Sequence, residues 1–445
     1  MPGTTQTGAL ALPLAELGRD DLARVGGKNA SLGEMIGKLE QAGIRVPGGF
    51  ATTAAAYWKF LEHNDLTERI GAKLGELAGD AHNLAAVGKA VRELILGAEL
   101  PPDLAKAIKG AYRDMGRGAV AVRSSATAED LPEASFAGQL ETFLNVRGDK
   151  ALLEACRRCY ASLFTDRAIV YRRNHGFDHM QVALSVGVQR MVRADKAGAG
   201  VMFSIDTETG FPRTVLIDAA WGLGETVVQG MVEPDEYHVF KPLLDQPHLK
   251  PIVGKRLGAK ARKMVGHRLV NTRKKEREAY VLADDEVLQL ARWACAIEAH
   301  YGQPMDMEWA KDGDSGELFV VQARPETVQS RVAAGRLRTY RLGKTGRRLV
   351  TGLAIGMSIA VGKVCRLSGP DQIDKFVEGA VLVTGNTDPD WVPIMKKASA
   401  IVTDRGGRTS HAAIVSRELG LTAVVGAGNA SKVLEDGMEV TVSCA

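Results

Sequence analysis

Val402-Thr403-Asp404-Arg405-Gly406-Gly407-Arg408-Thr409-Ser410-His411-Ala412-Ala413-Ile414-Val415-Ser416-Arg417-Glu418-Leu419-Gly420 is the stretch whose reading decides the fold. Ala400 to Val402 has the composition of a strand, and the paired glycines make a turn. Two hydroxyl residues then precede a histidine, and a helix-compatible run closes at Gly420. The pattern places His411 at a helix N-terminus. Such a terminus carries N–H groups without intrahelical partners and a partial positive charge, so it suits an arriving phosphate. The same field disfavours imidazolium and keeps a ring nitrogen neutral and nucleophilic. Glycine lets the backbone approach an anion, and Arg408, Thr409 and Ser410 can donate to it. His411 is therefore the candidate catalytic residue, a covalent carrier of a phosphoryl group. The competing reading is a structural histidine beside a Thr/Ser cap.

Working outward, Asn386-Thr387-Asp388-Pro389-Asp390-Trp391, the run from Asp404 to Gly420, and Ala423-Val424-Val425-Gly426 together resemble the phosphohistidine domain of the phosphoenolpyruvate synthase family. The likeness to pyruvate phosphate dikinase and to the sugar phosphotransferase enzyme I is weaker. One departure is Val392, where the synthase pattern is expected to carry an acidic residue after Asp-Trp. The histidine motif itself is intact.

A chain of 445 residues exceeds what one core usually holds, so more than one domain is expected. With 57 basic and 53 acidic residues the net charge is only +4, which gives no global signature of nucleic-acid binding. The 5 cysteines form no disulfide framework and suit a reducing cytosol; Cys156-Arg157-Arg158-Cys159 has zinc-like spacing but lacks a second ligand pair and reads as plain helix. Ala9 to Leu17 contains Pro13 and has no basic residue before it, so it is not a convincing leader, and the uncharged run Leu349 to Gly362 is too short for a span and reads as core strands. A cytoplasmic protein without nucleic-acid or membrane partners is expected, and a homodimer is compatible with the chain.

The first half supplies a phosphate donor. Gly26-Gly27-Lys28 opens a helix with Leu32, Met35, Ile36 and Leu39 at burial spacing, and its turn presents Lys28 toward an anion. The strand Ala119 to Ala126 brings Arg123 to the point where strand gives way to loop, as a planar fork for phosphate oxygens. Ser135-Phe136-Ala137-Gly138-Gln139 reads as a glycine-bearing loop able to close over a nucleotide. Residues 54 to 115 read as helical scaffold, Val182 to Val192 as a core strand, and the basic stretch 250 to 277 as a solvated hairpin face. Pro304 to Ala310 and Leu318 to Glu326 alternate about the turn Asp312-Gly313-Asp314-Ser315-Gly316, which predicts a hairpin. Alternation puts Asp306 and Glu308 on one face, and Gln322 and Arg324 together on the partner strand. Oxygen ligands for Mg²⁺ and a guanidinium for phosphate thus converge.

Lys28, Arg123, Gly138, Glu308, Gln322 and Arg324 resemble the nucleotide-binding residues of the ATP-grasp domain in the synthase and dikinase families. The resemblance spans Gly26 to about Val442. It implies an α/β and α+β multidomain fold with an ATP-grasp region at 1–327, in two lobes of roughly 1–190 and 191–327. A basic linker at 328–350 and a swivelling phosphohistidine β/α domain at 351–445 follow. It also implies Glu308 and Gln322 as magnesium ligands, Lys28, Arg123 and Arg324 on the phosphates, Asp306 beside them, and Gln189 bordering adenine. The implied reaction converts ATP, pyruvate and water to phosphoenolpyruvate, AMP and phosphate, with the chain ending before the pyruvate-binding barrel, so that pyruvate is reached only through a missing C-terminal domain. A regulatory kinase/phosphorylase acting on Thr409 is implied as well, its phosphate repelling the incoming phosphoryl group. The alternatives are transfer to another acceptor, such as rifampicin, and a nucleotide-binding phosphocarrier without full turnover.

Overall fold

By the clustering of its internal packing the chain forms two units, Met1–Val192 with Phe319–Arg324, and Arg193–Leu318 with Pro325–Ala445. The computed structural model describes residues 8–78, 83–127, 141–246, 248–326, 340–343, 346–408 and 410–445. Gly138, Thr409 and most of the expected linker at 328–350 lie outside the described residues.

The first unit carries an antiparallel sheet ordered Ala11–Pro13, Gly49–Thr52, Leu184–Arg190, Val120–Ala126, Thr142–Val146. Helices pack against it by stripes readable in the sequence. Leu66, Ile70 and Leu74 are buried from Leu66–Gly75, and Leu104, Ile108 and Tyr112 from Pro102–Asp114, which a proline starts. Each fully buried aliphatic side chain contributes about 1.5–3 kcal/mol against the entropy of ordering the chain. Cys156 and Cys159 lie buried in the helix Asp149–Ser162, where burial raises both thiols. Arg123 does not mark a strand end as expected. The strand runs on to Ala126, because Ser124 and Ser125 continue the ladder opposite Val186 and Ser185.

In the second unit Met305–Lys311, Gly198–Phe203, Thr214–Trp221, Asp235–Phe240 and Ile252–Arg256 pair in that order, all antiparallel. The register sets Glu308, Val201, Asp218, Glu236 and Arg256 in one row across the sheet, on one face. Met305, Met307 and Trp309 are buried on the opposite face, as alternation requires. Gly200 is obligatory here, since a Cβ would lie 1.8 Å from the Asp218 carbonyl oxygen.

The basic stretch is largely the solvated face expected, with Lys255, Arg262, Arg268, Arg273, Lys274, Lys275 and Arg277 exposed. Arg262–Val265 and Arg268–Asn271 do form a hairpin, but Lys260 is fully buried and ion-paired with Asp235. Asp235 also accepts from the Gly258 and Val281 N–H groups, so the buried pair is fully coordinated. Arg256 pairs with Glu233 and Glu236, and Lys263 with Glu276.

Residues 353 to 443 build a second sheet in this unit, ordered Leu353–Ile355, Thr422–Val425, Ala400–Thr403, Val381–Thr384, Ile359–Arg366, Glu439–Ser443. Its four central strands are parallel and its edges antiparallel. The helix His411–Leu419 is the crossover between Ala400–Thr403 and Thr422–Val425. Gly420 ends it in the left-handed region, with Gly420 N–H on the Arg417 carbonyl and Leu421 N–H on that of Ser416. Among the described residues no helix is long and apolar enough to cross a membrane.

Candidate active site

The loops carrying Thr387 and His411 both leave the carboxyl ends of parallel strands, Val381–Thr384 and Ala400–Thr403, where open α/β sheets place their ligands. Gly406 turns the chain at φ 123°, and a Cβ there would sit 2.8 Å from the Ser410 hydroxyl. Ser410 is buried and caps the helix, its Oγ accepting from Ala413 N–H at 3.3 Å. His411 is thereby the first helical residue.

Its Nδ1 lies 3.0 Å from the hydroxyl of buried Thr387. When Nδ1–H donates to that oxygen, Nε2 keeps its lone pair. Burial lowers the imidazole pKa to about 4, only partly opposed by Asp390, so the ring is neutral at neutral pH.

Arg408 and Ser410, expected to donate to an incoming phosphate, have other partners. Arg408 forms ion pairs with Glu208 at 3.2 Å and Glu236 at 3.0 Å. Arg417 donates to the Arg408 carbonyl at 2.6 Å and from Nε to Glu208 at 3.0 Å. The other Glu208 oxygen accepts from Gly356 N–H at 3.0 Å. Burial works against Glu236, but His238, Arg408 and Arg256 bring its pKa down to about 2. Among the described residues its cross-strand neighbour Asp218 has no hydrogen bond to either oxygen, and burial with the Glu236 charge pushes its pKa up to about 7.

In the first unit the predicted phosphate binders are drawn together by backbone geometry. Gly26, at φ 72°, leaves no room for a Cβ, which would be 2.4 Å from the Ser125 hydroxyl. That approach brings Lys28 to the Ser124 carbonyl at 3.4 Å, while Asn29 is anchored to Ser185 at 2.8 Å. Arg123 donates to the Val321 carbonyl at 3.0 Å, Ser31 to that of Ala323 at 2.8 Å, and the Arg123 Nε is buried without a hydrogen-bond partner among the described residues. Lys28, Arg123 and the segment bearing Gln322 and Arg324 thus share one place. Gln189 is different: it is buried and its amide donates to the Pro47 carbonyl at 3.2 Å. In the second unit Asp306 and Glu308 stand half-buried on one face of their strand, as alternation predicted.

The sequence alone does not mark Thr387 as a partner of His411, although Asn386-Thr387-Asp388 belongs to the motif read there. Nor does it mark Glu208, Asp218 and Glu236. Nothing local marks Glu208, which meets Arg417 across 209 positions.

Residues 22–341 match the family described as pyruvate phosphate dikinase, AMP/ATP-binding domain. Residues 376–445 match the PEP-utilising enzyme, mobile domain. The chain is 54% identical over 460 residues to phosphoenolpyruvate synthase of Synechocystis sp., covering 98% of this chain and 56% of that protein. It is 54% identical over 446 residues to the phosphoenolpyruvate synthase of Pseudomonas aeruginosa, covering 97% and 56%, respectively. For the Escherichia coli phosphoenolpyruvate synthase the identity is 51% over 450 residues, covering 98% and 56%. The chain therefore spans little more than half the length of these curated relatives. A module of PEP-utilising enzymes is part of it, in place of the expectation that pyruvate connects only through a missing C-terminal domain. The first family match alone covers well over half of the sequence, and the chain belongs to the pyruvate phosphate dikinase AMP/ATP-binding domain family.

Proposed function

We propose that the chain binds Mg-ATP in an ATP-grasp region and phosphorylates His411, as part of a pyruvate, water dikinase reaction of the phosphoenolpyruvate synthase type. The observation that carries this reading is His411 itself: a neutral imidazole at a capped helix N-terminus, its Nδ1 engaged by Thr387. Nε2 attacks the β-phosphorus of ATP, the N–P bond forms, the bridge to the α-phosphate breaks, and AMP leaves. Water then attacks the terminal phosphorus, phosphate departs, and a phosphoryl group stays on His411 for transfer to the enolate oxygen of pyruvate.

Lys28, Arg123 and Arg324 supply cationic donors to the polyphosphate, and the Arg123 Nε, without a hydrogen-bond partner among the described residues, suits an anion. Glu308 and Gln322 each present an oxygen donor of the kind Mg²⁺ takes, with Asp306 on the same strand face as Glu308. When bound, that ion would offset phosphate charge. The same reading keeps Gly138 as part of a closing loop and Thr409 as a modification site, with repulsion as the cause of inhibition.

The test uses ATP labelled separately at the β and γ positions. Acid-labile β label on the protein, with release of γ label as phosphate, is the expected result. Label only from the γ position would overturn the pyrophosphoryl step, and no label from either would overturn the assignment.

A further inference from the structure

The sheet bearing Glu308 and the sheet bearing His411 lie in the same unit. One small cluster is built from Val201, Ala220, Val227 and Val232. Among the described residues, two clusters drawn from Val350 to Val442 fill the two sides of the other sheet. Charge and close backbone packing join the two modules. Glu208 spends one carboxylate oxygen on Arg408 and Arg417 and the other on Gly356 N–H, so one side chain holds three separate segments of the His411 module. The Glu208 side chain is 12% exposed and that of Arg417 7%. Glu236 adds a second contact to Arg408. Beside these, Gly230, at φ 62°, approaches so closely that a Cβ would lie 2.4 Å from the Ser410 Cα. Gly407 packs on Pro234 in the same way, with a Cβ 3.2 Å from its Cδ.

We propose that Glu208, backed by Glu236, is a docking anchor that seats the His411 module on the Arg193–Leu318 lobe by gripping Arg408 and Arg417, with Gly230 setting the registry against Ser410. An interface built on ion pairs and bare backbone is more readily released than one built on an apolar core. The anchor fixes where His411 sits without touching substrate, so Glu208 is a positioning residue. Its carboxylate also explains why Arg408 is not free for phosphate while the module is docked.

This inference rests on the proposed phosphorylation of His411 for its kinetic readout only. The experiment measures, in the full chain, hydrogen exchange of the Gly230–Val232 and Ala412–Ser416 amides together with the rate of His411 labelling and the affinity for ATP. Glu208→Gln is expected to speed exchange at both sites by about 10-fold and to slow labelling by about 30-fold, with ATP affinity unchanged. Glu208→Arg should do the same, and combining it with Arg417→Glu should restore part of both. Gly230→Ala should act in the same direction through its methyl group. Should Glu208→Arg fail to fold, Glu208→Gln and Gly230→Ala carry the test. Unchanged exchange in those two variants would overturn the anchor. Absence of labelling in the unmodified chain would overturn the proposed function while leaving the exchange result decisive for docking.

Discussion

Asp218→Asn is the substitution whose effect can be worked most fully from the structure. Asp218 is 1% exposed, neither carboxyl oxygen is hydrogen-bonded among the described residues, and burial together with Glu236 raises its pKa from 3.8 to about 7. The folded protein therefore holds this proton more tightly than the unfolded chain does. By linkage the native state loses stability as pH rises from the unfolded pKa to the folded one, here between about pH 4 and pH 7. At about 1.4 kcal/mol per unit, the full loss is about 4 kcal/mol at most. Asparagine keeps the shape of the protonated acid and removes the titration. Unfolding of the two proteins by urea, followed across this pH range, should give nearly equal stabilities near pH 4. The variant should then gain progressively and level off above pH 7. A stability difference that stays flat with pH would refute the reasoning, because it would mean that Asp218 is ionised and solvated in the folded state.

Other expectations follow from the same geometry. Thr387→Val removes the partner of the His411 Nδ1 and should slow labelling about 10-fold at unchanged ATP affinity, the worth of one hydrogen bond to an oriented ring. The His411 imidazole should titrate near pH 4 by NMR. Labelling should therefore persist from about pH 8 down to about pH 5.5, and the stability tied to its depressed pKa should be lost only as pH falls from 6.5 toward 4. A midpoint near 6.5 would contradict the buried, neutral ring. Lys260→Met leaves Asp235 charged and buried without its partner and should cost about 3–5 kcal/mol, read from denaturant unfolding.

What could be read in the sequence was local. Gly406 to Gly420 announced a turn, a cap, a helix and its left-handed end because each depends on neighbours a few positions away. The alternation of Met305 to Glu308 likewise fixed which side chains share a face. Gly26-Gly27-Lys28 looked weak in isolation, and its force comes from Ser125, nearly a hundred residues on. Misreadings arose where partners are distant. Lys260 reads as solvated because Asp235 gives no sequence sign that it will bury an ion pair, and Arg408 reads as a phosphate donor because nothing local shows Glu208 and Glu236 facing it. Arg123 was set at a strand end because serines read as loop, whereas ladder pairing with Leu184–Arg190 extends the strand through them.

The most direct measurement is to incubate the full chain with Mg-ATP, digest it under alkaline conditions that preserve phosphoramidates, and locate the added phosphate by mass spectrometry. A phosphate on His411, absent from the His411→Asn variant, is the predicted result. Phosphate on any other residue, or an unmodified His411 in a protein that consumes ATP, would contradict the account.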